Sequence, residues 1–190
     1  MPLYFPLAGK APREAFDAFV SPLQRALSCI SDAVFVRSYG SATPGGIRSI
    51  IAPTAGRFVP LRGENRLHFS AALQYEIVKT DDPDRGPWKV STKKYMYHVV
   101  TGDMTEVILF HWHPEVPPGP QRGPHLHLGS SQLTRSAVVS HRTHVPTGRV
   151  SLESVIELLI TDFNVVPRRA DWKETLDESR QRFHDWRTWS

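Results

Sequence analysis

The stretch LHFSAALQYEI, residues 67–77, alternates apolar and polar side chains with a period close to two. Because successive side chains of a β-strand point to opposite faces, this alternation predicts a strand with one buried face. The segment Lys89–Val100 alternates in the same way, and Glu106–His113 is apolar on both faces, as a central strand is. Short turn-forming segments separate the three, and such connections favour antiparallel neighbours. We therefore predict three consecutive antiparallel strands.

Helical patterns flank this predicted sheet on both sides. Pro12 stands at a predicted first turn, and Ser21 is expected to cap a restart of the apolar pattern. Near the other end, Ser151 is expected to cap a helix over Leu152–Phe163. A D-x-x-E capping box that begins at Asp171 is expected to open the last helix.

Strands grouped in the middle and helices grouped at the ends are typical of the α+β class. We predict a twisted antiparallel β-meander packed against C-terminal helices, with an N-terminal helical segment. The chain is interpreted as one domain over residues 1–190. It divides into an N-terminal helical and irregular extension (1–65), an antiparallel sheet (66–145) and C-terminal helices (150–189). A further strand is expected at 135–140.

Composition and charge are those of an ordinary globular protein. Apolar residues make up 40% and charged residues 22%, and a net charge of +4 slightly favours anionic partners. The sequence lacks a long apolar run and a signal-peptide pattern, so neither a membrane-spanning helix nor export is expected. The lone Cys29 lies in an apolar helical pattern, which predicts a core thiol and a reducing, cytoplasmic compartment.

Two His-x-His pairs form the chemically informative part of the sequence. His111 and His113 end one predicted strand, and His125 and His127 lie on a short predicted strand after a loop rich in proline and glycine. On a strand this spacing points both imidazoles of a pair to one face. If the two strands are neighbours, four imidazoles approach one another near the loop. The sequence leaves open whether both pairs share a face, because the register is not fixed.

A metal site is one interpretation of these four histidines. Imidazole nitrogens bind zinc and similar divalent ions, and Glu115 could add an oxygen ligand. The order His-x-His-x-Glu resembles the first metal motif of cupins, although cupins place more residues before the glutamate. On this hypothesis His111, His113, His125 and His127 are the metal ligands.

Phosphodiester chemistry is a second interpretation and requires no cofactor. One neutral imidazole takes a proton from a hydroxyl, and a protonated one donates a proton to the leaving oxygen. Arg122, three residues before His125, is the candidate phosphate clamp. The further candidate substrate-binding residues, which offer positive charge or an aromatic ring, are Lys93, Arg142, Tyr95 and Tyr97.

A third interpretation gives the histidines no chemistry at all. They would then form, with the tryptophan-rich C-terminus, a surface for a protein partner. The sequence does not decide whether the chain is an enzyme, and it gives no oligomeric state.

The segment RGPHLHLG (122–129), followed by a Ser-x-Glu helix pattern at 150–163, resembles the TumE-like toxins of prokaryotic toxin–antitoxin systems. The matching positions are His125, His127 and Gly129 and the later helix, all in the C-terminal half. The family's Tyr-Asp-Asn after its central strand is absent here. The resemblance implies a toxin that acts on RNA or a nucleotide phosphate as a ribonuclease or phosphodiesterase, with an antitoxin as partner. It makes His125 and His127 the acid–base pair and Arg122 the clamp, with His111 and His113 completing the site.

Overall fold

The computed structural model describes residues 9–53, 57–81, 86–114, 123–133, 140 and 142–186. Of residues 183–186 it describes the backbone alone. Within these ranges the chain is an α+β protein with three α-helices and an eight-stranded antiparallel sheet. The elements, in chain order, are α1 (Pro12–Leu27), β1 (Val36–Arg37), β2 (Arg48–Ala52), β3 (Val59–Pro60), β4 (His68–Lys79), β5 (Trp88–Val100), β6 (Glu106–Trp112), β7 (His125–Leu128), β8 (Val145–Pro146), α2 (Leu152–Thr161) and α3 (Trp172–Trp186).

The three predicted central strands are confirmed as β4, β5 and β6, and they form an antiparallel meander. Around them the strand order is β1-β2-β4-β5-β6-β7-β8, and β3 also pairs with β4. Tyr97 on β5 lies opposite Ala71 on one side and Phe110 on the other. This register aligns the apolar side chains of all three strands on one face of the sheet.

The helices cover that apolar face and complete the core. Phe16 of α1 stacks on Tyr75 of β4, with ring centroids 5.7 Å apart, and both side chains are fully buried. Ile156 and Leu159 of α2 are also fully buried in the same cluster. Burying each such side chain stabilises the fold by about 1.5–3 kcal/mol. No helix in the described ranges is both long and apolar enough to cross a membrane.

The predicted restart at Ser21 is wrong, because α1 runs without interruption from Pro12 to Leu27 and contains Pro22. A proline inside a helix removes one backbone hydrogen bond. The buried positions of α1 nevertheless keep helical spacing through the proline: Phe16, Val20, Leu23 and Leu27. Burial of this continuous stripe offsets the missing hydrogen bond, and the helix persists.

The predicted cap of α2 is confirmed, since the Ser151 side chain accepts a hydrogen bond from the Ser154 backbone N–H. The predicted capping residue of α3, Asp171, accepts two hydrogen bonds from the Arg169 guanidinium, each 2.6 Å long. Cys29 is fully buried as predicted, and burial raises the pKa of its thiol to about 11. A thiol with so high a pKa is a core side chain and a poor nucleophile.

Two further expectations fall on the C-terminal part of the sheet. The short strand around His125 is confirmed as β7. Most of the strand expected at 135–140 lies outside the described residues, and β8 follows it at Val145–Pro146.

Candidate functional site

The pairing of β6 with β7 brings the two His-x-His pairs together. His111 lies directly opposite His125, and His127 lies opposite Leu109. Phe110 and Leu126, which alternate with these histidines, belong to the core on the helix side. The histidines therefore share the face of the sheet that points away from the helices. This register answers the question that the sequence left open.

Three imidazoles of this face come within reach of a single ion. The ring centroid of His111 lies 4.1 Å from that of His125 and 4.9 Å from that of His127. The centroids of His125 and His127 are 5.1 Å apart. One ring nitrogen from each of the three lies within 4.8 Å of the other two. A point between them is then no farther than roughly 2.8 Å from each, against about 2.1 Å for a zinc–nitrogen bond. Side-chain movements that shift each nitrogen by less than about 1 Å would bring all three to bonding distance of one ion.

Two more histidines border this trio. His113 lies 4.7 Å from His111 and 5.5 Å from His125, measured between ring centroids. His144 lies 4.8 Å from His125 and 4.4 Å from His127. We define the histidine cluster as these five residues: His111, His113, His125, His127 and His144.

His144 is the member that the sequence analysis missed. It has no His-x-His partner, and it stands just before β8, a strand of two residues that shows no periodicity. Val145 of β8 pairs with Leu126, so continuing this register places His144 opposite His127. Its approach to the cluster depends on a strand pairing between distant parts of the chain, which local sequence does not reveal.

One tautomer of His125 is fixed by a backbone contact. Its Nδ1 lies 2.7 Å from the Gly123 carbonyl oxygen, so Nδ1 carries the proton and donates. The other nitrogen, Nε2, is an acceptor, and it is buried without a hydrogen-bond partner among the described residues. A histidine that donates one ring N–H to a carbonyl and presents the other nitrogen bare is arranged as metal ligands are. The Nε2 of His111 is likewise buried and unpartnered within the described part of the chain.

Electrostatics keep the centre of the cluster uncharged. Burial, together with smaller contributions from the neighbouring imidazoles of His125, His113, His127 and His144, lowers the pKa of His111 from 6.5 to about 3. Burial also lowers the pKa of His125, partly opposed by its hydrogen bond to Gly123. Both rings are therefore neutral near pH 7, and the neutral imidazole is the form that binds metal.

The predicted tyrosines do not join the histidines. Tyr95 and Tyr97 stack on each other with ring centroids 5.0 Å apart, and both are buried on the helix side of the sheet. The Tyr95 hydroxyl accepts a hydrogen bond from the Val150 backbone N–H at 3.1 Å. The strand alternation that places histidines on one face thus places these two rings on the other.

The basic residues predicted to bind a phosphate have different surroundings from one another. Lys93 Nζ lies 3.0 Å from a carboxylate oxygen of Glu76, so it forms an ion pair within the sheet. Arg142 is exposed, two residues before His144. Arg122 and Glu115 lie outside the described residues.

His98, the histidine of β5, is separate from the cluster. His98 Nε2 lies 3.0 Å from a carboxylate oxygen of Glu106, within ion-pair distance although not aligned for a hydrogen bond. Its ring also meets the edge of Phe58 at 5.3 Å. These neighbours account for His98 without a ligand.

The described chain is thus an α+β protein with five imidazoles on the face of its antiparallel sheet that points away from the helices. Comparisons with protein-family models, with curated proteins and with solved structures found no match for this chain.

Proposed function

We propose that the protein binds a divalent transition-metal ion, zinc or one of similar ligand preference, through His111, His125 and His127. The observation that carries the proposal is the approach of one nitrogen from each of these rings to within 4.8 Å of the others. His113 and His144 border the trio and could take further coordination positions. Three imidazoles and an open position are typical of zinc sites that act on a bound water or substrate.

The ligand set indicates which ions to expect. The described members are all imidazoles, which suit zinc, copper, nickel and iron better than calcium or magnesium. When bound, such an ion would supply Lewis acidity to a water or substrate oxygen. The protein's own part is to hold neutral, oriented rings on two paired strands. Strand residues position ligands more firmly than loop residues do.

The toxin-like hypothesis uses the same histidines in a different way. It rests on the resemblance around His125 and His127, and it needs one imidazole that is protonated near neutral pH. The lowered pKa values of His111 and His125 disfavour that role for these two rings. A neutral His125 could still act as the general base, so the general acid would have to be another group. RNA cleavage that persists in a chelator would support this hypothesis over the metal proposal.

The direct test is metal analysis of untagged protein purified without a metal column. We expect about one zinc-like ion per chain after equilibration with zinc and dialysis. His125→Gln should lose the ion, while the matched control His68→Gln should keep it. His68 is a half-buried histidine on β4, two strands away from β6. Wild-type protein that retains no more zinc than the His125→Gln variant would contradict the proposal.

A further inference from the structure

A cavity of about 220 Å³ lies on the other side of the sheet, between the helices and β5. Its lining includes Phe19 of α1, Leu73 of β4 and Trp88, Tyr95 and Tyr97 of β5. Its walls are mostly aromatic and aliphatic, with a few polar side chains, as the walls of small-molecule sites are.

One carboxylate enters this apolar lining. Glu153, in the first turn of α2, is 1% exposed and lines the cavity. Its Oε1 accepts a hydrogen bond from the Ser179 hydroxyl at 2.5 Å. Its Oε2 is buried and has no hydrogen-bond partner among the residues that the structure describes.

The Ser179 hydroxyl has more acceptors nearby than it can serve. The Ser179 oxygen lies within hydrogen-bond distance of both Glu153 Oε1 and the Pro22 carbonyl oxygen, the latter at 3.1 Å. A hydroxyl carries one proton, so it serves one of these two acceptors at a time. Glu153 Oε2 also lacks a hydrogen-bond partner among the described residues, so this carboxylate has an acceptor oxygen left over. Buried acceptors are normally paired, because an unpaired one costs about 1–3 kcal/mol.

We propose that the cavity binds a small, largely apolar molecule that carries a protonated amine. The amine would donate to Glu153 Oε2, and the apolar part would lie against Tyr95 and Tyr97. A cationic donor fits better than a neutral one, because it pairs the buried carboxylate and is attracted to aromatic faces.

Basic residues also belong to the lining of the cavity. Lys89, Arg149 and Arg182 border it, and all three are half-buried whereas Glu153 is fully buried. The Arg149 guanidinium lies 3.7 Å from the centroid of the Trp112 ring. The charges of the three basic residues would repel a cation beside them, so the amine should lie at Glu153, the one carboxylate among the described lining residues.

This inference is independent of the histidine cluster. Among the residues that the structure describes, no histidine lines the cavity, and the cluster occupies the opposite face of the sheet. If the protein binds no metal, the amine proposal still stands, and if it binds no amine, the metal proposal still stands.

The probes are 2-phenylethylamine, 2-phenylethanol and 3-phenylpropionate, which share a ring and differ in the polar group. Titration followed by amide NMR shifts and by calorimetry should show that the amine binds, with shifts at α1, β5 and the start of α2. The alcohol should bind at least roughly tenfold more weakly, and the carboxylate more weakly again. Loss of a charged hydrogen bond has about this effect on affinity.

Two variants tie the binding to this cavity. Glu153→Gln keeps the shape of the side chain and should weaken amine binding roughly ten- to hundredfold. The matched control is Glu157→Gln, one turn further along α2, where the carboxylate pairs with Arg180 outside the cavity. This control should bind the amine like the wild type. Ala18→Leu adds bulk to the wall contributed by α1 and should block the amine and the alcohol alike.

Several results would overturn the proposal. They are an amine that causes no shifts at millimolar concentration, a carboxylate that binds better than the amine, and folded Glu153→Gln that binds the amine as tightly as wild type. If Glu153→Gln does not fold, Ala18→Leu decides, since a folded Ala18→Leu protein with unchanged amine affinity would equally reject the site.

Discussion

Replacing His111 by leucine separates the metal affinity of the histidine cluster from the stability of the fold. The ring centroid of His111 lies within 5 Å of three others in the cluster, 4.1 Å from that of His125, 4.7 Å from that of His113 and 4.9 Å from that of His127. Leucine fills a similar space but offers no ligand. It also removes the buried, unpartnered Nε2 of His111, which costs the metal-free fold about 1–3 kcal/mol. We therefore expect the metal-free variant to be at least as stable as the wild type.

The zinc response should change in the opposite direction. At free zinc about 1,000 times the dissociation constant, binding stabilises the wild type by about 4 kcal/mol. For a chain of this length, that raises Tm by roughly 8–16 °C. Loss of a direct ligand should weaken binding on the order of 100-fold or more. At the same zinc concentration, His111→Leu would then gain only about 1.4 kcal/mol, or roughly 3–6 °C.

The assay is thermal unfolding of untagged, chelator-treated protein, followed by circular dichroism with and without added zinc. His68→Leu is the matched control, because it removes a half-buried histidine of the same sheet outside the cluster. The reasoning is refuted if zinc leaves the wild-type Tm unchanged, or if His111→Leu shows the full wild-type increase.

Three further predictions concern pH, the core and growth. Since burial holds the pKa of His111 near 3 in the fold against 6.5 when unfolded, the unfolded chain takes up the proton first. Stability of the metal-free protein is thus fully present above pH 6.5 and falls towards pH 3. The urea midpoint should drop between pH 7 and pH 4.5, less so in His111→Leu, and an equal drop in both would contradict this. Leu159→Ala, at a fully buried position, should cost about 2–5 kcal/mol in urea unfolding, whereas exposed Val166→Ala should stay within about 0.5 kcal/mol; equal losses would reject the packing argument. If the toxin-like hypothesis holds, wild-type expression slows growth and folded His127→Ala does not; harmless wild-type protein would count against it.

The central fold could be predicted because its information is local. The alternation in β4 and β5 and the cap at Ser151 each depend on neighbouring residues. The edges of the sheet could not be predicted in the same way. Strands β1, β3 and β8 have two residues each, too few to show a period, and they form by pairing with partners distant in sequence.

The candidate site shows the same division. Period two was enough to place His111 with His113, and His125 with His127, on common strand faces. The register between β6 and β7 was not available, because a slip of one residue moves a whole pair to the other face. Residue type alone makes the tyrosines of β5 candidates for the same site as the histidines. Their strand face, however, is set by packing against the helices.

A purely structural role explains the histidine cluster poorly. His125 is 1% exposed, so it does not serve to solubilise the surface. Among the described residues, its Nε2 and that of His111 have no hydrogen-bond partners, which together would cost about 2–6 kcal/mol. The whole fold of a typical domain is stable by only about 5–15 kcal/mol. Apolar side chains on this face would avoid that cost, whereas an ion between the rings would accept both lone pairs at once. The arrangement is therefore better suited to holding a metal than to holding the sheet together.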